Sequence, residues 1–260
     1  MIYAGIDIGS ITAKAALVQK QKNGDLIPRA TRVIPTGYDP AAAAQRVYQE
    51  ILEGENIKKE QVTAVVATGY GRKAVDFAQT AMTEIICHGA GAHFSNPDIR
   101  GIIDVGGQDS KAIVLDENGR VNNFAMNDKC AAGTGRFLEV MARALELKLS
   151  QLGPMALSAK DPVKISSICT VFAESEVISM IAARKKREDI IAGIHESTAT
   201  RVAGLASKIG LKGPVMMTGG VAKNTGLVKA LENRLGMGIL VGEAPQENGA
   251  LGAAVLAARN

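Results

Sequence analysis

Aromatic residues are scarce in this 260-residue sequence: tryptophan is absent, and tyrosine and phenylalanine bring the aromatic fraction to only 3%. Stacking of nucleic-acid bases on aromatic rings is therefore not expected, and a net charge of +4 is too small to indicate a nucleic-acid partner. No apolar run reaches the roughly 18 to 20 residues of a membrane span, and the chain begins with a predicted strand rather than a signal segment. We therefore expect a cytoplasmic protein with neither a nucleic-acid nor a membrane partner.

Cysteine is also rare, with three residues in the chain. Three cysteines in a cytoplasmic protein are not a disulfide framework. Positive charge is dispersed, except in the run Arg184-Lys185-Lys186-Arg187. We expect this run to be a solvated helix end; a patch for an acidic partner is the alternative.

A repeat organises the chain. Residues 6–14 place Asp, Gly and Lys at the same relative positions as residues 103–111. In both copies an apolar strand follows, and then an Asn-Gly turn of the kind that is typical of hairpins. A repeat about a hundred residues long indicates a domain duplication rather than a solenoid. A chain that is 47% hydrophobic and this long can build two modest cores, so we expect two similar halves with a cleft between them.

The pattern of apolar residues and turn residues predicts an α/β fold. Strands are predicted at residues 2–8, 12–20, 26–35, 62–68, 100–105, 110–116, 121–127, 214–218 and 239–241. Helices are predicted from Pro40, over 72–94, after Cys130, and over 173–187, 188–208, 221–235 and 248–258. Asn96-Pro97 is the best linker candidate, so the predicted subdomains are residues 1–96 and 97–260.

The two repeated turns predict a nucleotide site. A glycine turn between two strands exposes backbone N–H groups that can hold phosphate oxygens, and a Cβ there would block close approach. Asp7 and Asp104 supply the hard oxygen ligands that a phosphate-bound Mg²⁺ requires, directly or through water, while Ser10, Thr12 and Lys14 supply donors. A single Asp-x-Gly is more often a plain hairpin turn, and the duplication is what favours the functional interpretation.

A third glycine turn lies at Thr218-Gly219-Gly220-Val221-Ala222-Lys223-Asn224, where a predicted strand ends and a helix begins. The three motifs, in this order, resemble the phosphate-1, phosphate-2 and adenosine motifs of the ATPase superfamily of actin, Hsp70 and sugar kinases. The resemblance implies two ribonuclease-H-like subdomains with ATP in the cleft between them, and it allows helix 248–260 to pack back on the first. It implies these nucleotide-binding residues: Ser10, Ile11, Thr12, Ala13, Lys14, Gly106, Gly107, Gln108, Gly219, Gly220, Ala222 and Lys223.

A competing pattern, G-x-G-x-x-A, occurs at residues 69–74. A dinucleotide-binding fold would need an acidic residue at the end of a second strand roughly 20 residues further on. That position falls in the predicted helix 72–94, which disfavours the dinucleotide interpretation.

Cys130 and Cys169 both precede predicted helices, where the helix dipole stabilises a thiolate and any anionic centre that thiolates hold. A lone cysteine is usually a small buried hydrophobe, and we assign that role to Cys87, which lies in an apolar segment. His88 and His93 give only a weak suggestion of a metal site beside it. Two thiols are too few for an iron–sulfur cluster, which normally takes four, but a symmetric dimer supplies four.

The two cysteine segments and the sequence Asp104-Val105-Gly106-Gly107-Gln108-Asp109-Ser110-Lys111 resemble activators of 2-hydroxyacyl-CoA dehydratases, of the BadF/BadG/BcrA/BcrD ATPase type. The resemblance implies that Cys130 and Cys169 bind one [4Fe-4S] cluster shared by a homodimer. It further implies an oxygen-sensitive, anaerobic one-electron donor that uses ATP and Mg²⁺ to reduce a dehydratase component. A ferredoxin or flavodoxin would be the electron source.

The residue that positions the attacking water is predicted to be Gln108, with Glu174 as the rival. Three other functions stay open at this point. The chain could be an ATP-binding subunit of a benzoyl-CoA reductase-like enzyme, which uses non-identical subunits; a small-molecule kinase with Asp109 as the base; or an actin-like assembly protein. The kinase and the assembly protein would leave the paired cysteines unused.

Overall fold

The computed structural model describes residues 1–167 and 169–259 and divides into two compact units. The first unit contains Met1–Arg100, Leu115–Asn122 and the described residues from Gly242 onward. The second contains Gly101–Val114 and Asn123–Val241. The sequence placed the division after residue 96; in the structure the first unit also takes a short segment from the middle of the chain and the C-terminal helix.

The first unit is a five-stranded sheet with helices on both faces. Its elements are β1 (Ile2–Ile8), β2 (Thr12–Lys20), β3 (Leu26–Pro35), α1 (Pro40–Gly54), β4 (Val62–Thr68), β5 (Thr80–Ala81), α2 (Glu84–Ser95) and α8 (Asn248–Arg259). The strand order is β3-β2-β1-β4-β5, with β1 antiparallel to β2 and parallel to β4. Alternate residues of β1 therefore face α1 on one side and α8 on the other.

Helix α1 shows how local sequence begins an element in this unit. The Asp39 carboxylate accepts hydrogen bonds from the N–H groups of Ala41 and Ala42, and Pro40 occupies the first turn, where a missing N–H is no loss. The apolar stripe of the helix, from Ala43 to Leu52, is buried against β1 and β2.

The second unit repeats this arrangement with additional helices. Its elements are β6 (Gly101–Val105), β7 (Ser110–Leu115), β8 (Val121–Asn127), α3 (Gly135–Ala144), α4 (Leu149–Leu157), α5 (Thr170–Ala182), α6 (Arg187–Lys208), β9 (Val215–Thr218), α7 (Thr225–Leu235) and β10 (Ile239–Val241). The strand order is β10-β9-β6-β7-β8, with β6 antiparallel to β7 and parallel to β9. Helices α3 to α7 and one face of the sheet enclose the core of this unit.

The two sheets have the same strand order, since β6 to β10 repeat β1 to β5. The central strand of each sheet is antiparallel to one neighbour and parallel to the other, and the last strand is parallel to the strand beside it. The prediction of a domain duplication from the repeated turns is therefore confirmed at the level of topology. In the described residues, no helix is long and apolar enough to cross a membrane.

The predicted helix over 72–94 is wrong in its first half. Residues 72–74 form a single 3-10 turn, Thr80–Ala81 is the fifth strand, and α2 begins only at Glu84. The Gln79 side-chain oxygen accepts a hydrogen bond from Val65 N–H at 2.6 Å, and the backbone N–H of Gln79 donates to Val65 O. These two bonds hold the segment against the edge of β4. Phe77 stacks on Tyr48 of α1 instead of continuing a helical stripe. Tertiary pairing therefore overrides the local helical pattern.

Candidate nucleotide site and cysteine site

In the first unit, Asp7 near the end of β1 is 5% exposed. Its Oδ2 accepts a hydrogen bond of 3.1 Å from Nζ of Lys14, which lies directly opposite on β2. A buried carboxylate requires such a partner, because removing a charge from water is costly. The turn between them is closed by Gly9 N–H, which donates to Thr12 O at 3.0 Å. The predicted phosphate donor Lys14 therefore has a carboxylate partner within its own unit.

The second unit contains the same pair at the same place. Asp104 and Lys111 lie opposite each other on β6 and β7, and only 3% and 2% of these residues are exposed. Lys111 Nζ donates to Asp104 Oδ2 at 3.1 Å and to Asp109 Oδ2 at 2.7 Å, while Thr218 Oγ1 donates to Asp104 Oδ1 at 2.9 Å. Asp109, the base of the alternative kinase function, is therefore held by an ammonium group. The duplication extends from sequence pattern to side-chain geometry.

A further repeated feature is the glycine that follows the strand beside each aspartate. Gly69 follows β4 and Gly219 follows β9, and their φ angles are +85° and +87°, which favour glycine. A Cβ on Gly69 would collide with the Asp7 side chain, and a Cβ on Gly219 would lie 2.9 Å from Asp104 Oδ1. The G-x-G pattern at residues 69–71 is thus the first unit's counterpart of the adenosine motif.

The remaining predicted residues of the first turn differ in exposure. Ser10 and Ile11 are exposed at the tip, Ala13 is buried on β2, and Thr12 Oγ1 accepts a hydrogen bond from Gln246 Nε2 at 3.2 Å. The tip of the turn is therefore accessible, while its base is anchored in the first unit.

The predicted phosphate-2 turn is attached to the start of α3. The N–H groups of Gly135 and Arg136 donate to the carbonyl oxygens of Gly106 and Gly107 at 2.9 and 2.8 Å. A Cβ added to Gly135 would lie 3.0 Å from Gly106 O and 3.3 Å from the side chain of Val221, so the adenosine motif also reaches this point. The structure thus brings the second and third predicted motifs together within the second unit.

In the adenosine motif, Gly220–Lys223 form a 3-10 turn in which Ala222 is buried and Lys223 is exposed. The predicted helix over 221–235 begins only at Thr225, because Asn224 caps it: Asn224 Oδ1 accepts a hydrogen bond from Leu227 N–H at 3.1 Å. His195 of α6 lies 3.1 Å from Asn224 Nδ2 through its Nε2, and burial lowers the pKa of His195 to about 4. A neutral imidazole therefore contacts Asn224, the last residue of the adenosine motif, from within the core of the second unit.

Cys130 and Cys169 lie beside the two packed helices α3 and α5. Cys169 is the N-cap residue of α5 and is exposed. Cys130 lies in the loop before Thr134, the N-cap of α3, and its carbonyl accepts a hydrogen bond from Asn127 Nδ2 at 2.8 Å. Both thiols are free, and both are at least partly accessible. The neighbouring Ile168 lies outside the described residues.

Glu176 of α5 holds the segment that leads to Cys169. Its carboxylate accepts hydrogen bonds from the N–H groups of Ser166 and Ser167 and from the Ser166 hydroxyl, at distances of 3.0 to 3.1 Å. Partial burial opposes ionisation of this carboxyl group, but the hydrogen bonds outweigh it and lower its pKa below the usual value. Glu176 therefore fixes the approach to Cys169, a role that sequence reasoning missed.

The three thiols of the chain differ in their accessibility. Burial raises the pKa of the Cys87 thiol to about 12, and Cys87 packs in an apolar cluster with Tyr3, Val66 and Ala253, as expected of a buried hydrophobe. Across residues 1–167 and 169–259, three or more His, Cys, Asp or Glu side chains are nowhere gathered as a metal-binding group. One chain thus offers two accessible thiols, half of what a four-thiolate cluster needs.

The two candidates for positioning water lie on different elements. Gln108 is exposed in the phosphate-2 turn beside Gly107, while Glu174 is half-buried on the first turns of α5. Among the described residues, Glu174 forms no hydrogen bond with that turn. Aligning the threonine-glycine pairs at 68–69 and 218–219 would have shown from sequence that Gly69 and Gly219 occupy equivalent positions in the two units. Nothing in the sequence pattern marks His195 or Glu176 as residues that support the site.

Two sheets of one strand order, each with a buried aspartate–lysine pair beside a glycine turn, define a duplicated α/β protein of the actin, Hsp70 and sugar-kinase ATPase fold. The chain belongs to the BadF/BadG/BcrA/BcrD ATPase family, whose model matches residues 4–257. It is 46% identical to the 2-hydroxyisocaproyl-CoA dehydratase activator of Clostridioides difficile over 258 residues, which cover 99% of this chain and 95% of that protein.

Solved structures agree with this assignment. The (R)-2-hydroxyglutaryl-CoA dehydratase component A of Acidaminococcus fermentans superimposes with a TM-score of 0.95 at 45% identity, covering 100% of this chain and 98% of that one. The activator of the 2-hydroxyisocaproyl-CoA dehydratase from Clostridium difficile with bound ADPNP gives a TM-score of 0.92 at 44% identity, with coverage of 100% and 95%. The fold class and the family that the motifs predicted are confirmed.

Proposed function

We propose that this chain is an ATP-dependent activator of a 2-hydroxyacyl-CoA dehydratase, and that it delivers single electrons from a [4Fe-4S] cluster shared by two copies. Relatives that match almost its whole length carry activator names. The observation that carries the coupling is the pair of hydrogen bonds from Gly135 and Arg136 to the phosphate-2 turn, because α3 links that turn to the Cys130 loop.

The nucleotide would be ATP with Mg²⁺, bound at the glycine turns of residues 9–14, 106–108 and 219–223. Asp7 and Asp104 are buried and paired with lysines, so they would hold the metal through its water ligands. Exposed Gln108 is our candidate for orienting the attacking water, with Glu174 as the alternative. The exposed backbone of the turns would bind the phosphate oxygens.

Cys130 and Cys169 from each of two chains would hold the cluster, which would supply a one-electron carrier of low potential. The geometry of α5 supports a dimer at this point. Val171, Phe172 and Ile178 are 65%, 67% and 54% exposed on the helix that Cys169 caps. An exposed apolar patch next to a thiol that needs a partner suits contact with a second copy of the chain.

The coupling between nucleotide and cluster would run through α3, which connects the phosphate-2 turn to the Cys130 loop. A change at Gly106 and Gly107 on nucleotide binding or hydrolysis would act on the first N–H groups of α3, and Thr134 and the Cys130 loop lie directly before them. Helix α3 packs on α5, so a movement of α3 would also reach Cys169, the N-cap residue of α5. Each tenfold shift of a one-electron equilibrium needs about 59 mV, and ATP is the energy source that can supply such a shift.

Iron analysis of reconstituted protein tests this proposal. Wild-type chain incubated anaerobically with iron and sulfide should hold about four irons per dimer, and Cys87→Ser should hold the same amount. Cys130→Ser and Cys169→Ser should each lose the iron while retaining the fold, as followed by circular dichroism. Four irons per single chain, or a cluster that depends on Cys87, would contradict a shared site.

A further inference from the structure

A cavity of about 750 Å³ in the second unit lies beside both cysteine segments. Its wall includes Asn127 and Ala132 on either side of Cys130, and Ser166 and Ser167 just before Cys169. Helix α6 also lines it: Gly193 allows the backbone of Val163 to pack closely on the helix, and Gly204 faces open space. Ser110, which follows the phosphate-2 turn on β7, also lines the cavity, but none of the residues assigned to the nucleotide does.

The charged side chains that line the cavity are mostly positive. Four cationic side chains line it, and Glu196 is the one carboxylate among the lining residues. The cations are Lys164, Arg201, Lys208 and Arg234. Within the described part of the chain, Lys164, Lys208 and Arg234 are exposed and form no ion pair. A concave surface with unneutralised cations attracts an anionic partner and raises its rate of association.

A second group of exposed cations, the run Arg184–Arg187, lies at the start of α6. Val163 N–H donates to Asp189 O at 3.1 Å, which fixes the Lys164 segment against the first turn of this helix, next to the run. Residues 188–200 of α6 carry no lysine or arginine, so this group and the cations of the cavity are two patches rather than one continuous stripe.

We propose that this basic surface, made of Lys164, Arg201, Lys208, Arg234 and the run 184–187, is the docking site of an acidic electron-carrier protein. The inference rests on the proposed function, since the position beside Cys130 and Cys169 brings a bound carrier close to the thiols. The docked carrier would be oxidised by one electron, and the cluster that Cys130 and Cys169 would hold would be reduced by one electron, with no bond formed or broken. Lys164, Lys208 and Arg234 are exposed and Arg201 is half-buried, so none of the described cations of the cavity is buried as in a site that holds a small ion. Exposed cations of this kind steer a charged protein partner.

The test compares two triple variants of equal charge. Lys164→Gln/Lys208→Gln/Arg234→Gln removes three cations from the cavity, and Lys22→Gln/Lys58→Gln/Arg120→Gln removes three exposed cations from the first unit. Binding of a fluorescently labelled acidic flavodoxin is measured by anisotropy at low and high salt, with protein that carries no cluster. The cavity variant should bind roughly ten- to a hundredfold more weakly at low salt and lose most of the salt dependence, whereas the control should bind as wild type.

A second readout separates this inference from the proposed function. In reconstituted protein, the cavity variant should be reduced slowly by flavodoxin hydroquinone but at the wild-type rate by titanium(III) citrate. Equal flavodoxin binding by both triple variants would overturn the docking site and leave the proposed function intact. Absence of any reducible cluster would refute the proposed function, while the binding assay would still decide the docking site. Saturable pyrophosphate binding that only the cavity variant loses, with flavodoxin binding unchanged, would show a small-anion site instead and overturn the proposal.

Discussion

Asp104 is a carboxylate whose charge is needed twice, for the fold and for the proposed metal. It accepts hydrogen bonds from Lys111 and Thr218 in a site that is almost closed to solvent. Asp104→Ala would leave a buried ammonium group with one carboxylate fewer, so we expect a loss of about 3–5 kcal/mol of stability.

Asparagine variants isolate the catalytic role. Asp7→Asn and Asp104→Asn keep the shape of the side chain but remove the charge that would hold hydrated Mg²⁺, so ATP hydrolysis should fall to background while the fold survives. A coupled ATPase assay measures the first effect and urea unfolding the second. Hydrolysis at the wild-type rate in both variants would rule out these turns as the metal site.

Glu176 offers a second test at the level of one side chain. Glu176→Ala removes the acceptor of the Ser166 and Ser167 N–H groups, each a hydrogen bond to a charged group worth about 1.5–3 kcal/mol. Hydrogen exchange at these two amides should accelerate roughly ten- to a hundredfold, and Glu176→Gln should restore part of the protection. Glu174→Ala, on the same helix, should leave both amides protected. Unchanged exchange in Glu176→Ala would show that another contact holds the segment.

At the scale of elements, α6 supports the adenosine motif through His195. Burial lowers the pKa of this imidazole to about 4. Below about pH 6.5 the imidazole is therefore protonated in the unfolded chain but stays neutral in the folded chain until the pH approaches 4. Stability should therefore fall as the pH drops from about 6.5 towards 4, by up to the order of 3 kcal/mol from this group. The difference in urea midpoint between wild type and His195→Gln, measured at pH 7 and pH 5, should shrink at the lower pH. A difference independent of pH would contradict a buried neutral histidine.

The same contact predicts a kinetic effect. His195→Ala leaves the Asn224 amide without its imidazole partner and loosens the cap of α7 beside Gly220–Lys223. The KM for ATP should rise several-fold with kcat little changed, and His195→Gln should recover part of the affinity because its amide can also pair with Asn224. A fall in kcat alone would place His195 in another role.

Sequence reasoning succeeded where local and tertiary preferences agree. Strands β1 to β3 match their predicted bounds because turn residues flank strongly apolar runs. It failed at residues 72–83, where pairing with β4 decides the structure, and it did not predict α4. The aspartate turns were visible as a repeat. The contacts of Glu176 with Ser166 and of His195 with Asn224 bridge 10 and 29 residues, and no periodic pattern marks such contacts.

At the scale of the molecule, the apolar face of α5 predicts the assembly. Ile178→Glu would place a charge in the surface that we assign to the second copy, so the protein should sediment as a monomer and lose its iron. Phe124→Glu, at an equally exposed apolar position on β8, should remain a dimer that binds iron. A dimeric, iron-containing Ile178→Glu protein would move the interface away from α5.

The central claim is that ATP drives a single electron from this protein to a dehydratase. The most direct measurement mixes the reduced, reconstituted protein anaerobically with its oxidised dehydratase component and follows the visible absorbance of the iron–sulfur cluster in a stopped-flow instrument. With ATP and Mg²⁺ the cluster should be reoxidised rapidly, and with ADP or without nucleotide it should stay reduced; Asp104→Asn should behave as if nucleotide were absent. Reoxidation at one rate under all these conditions would contradict the account.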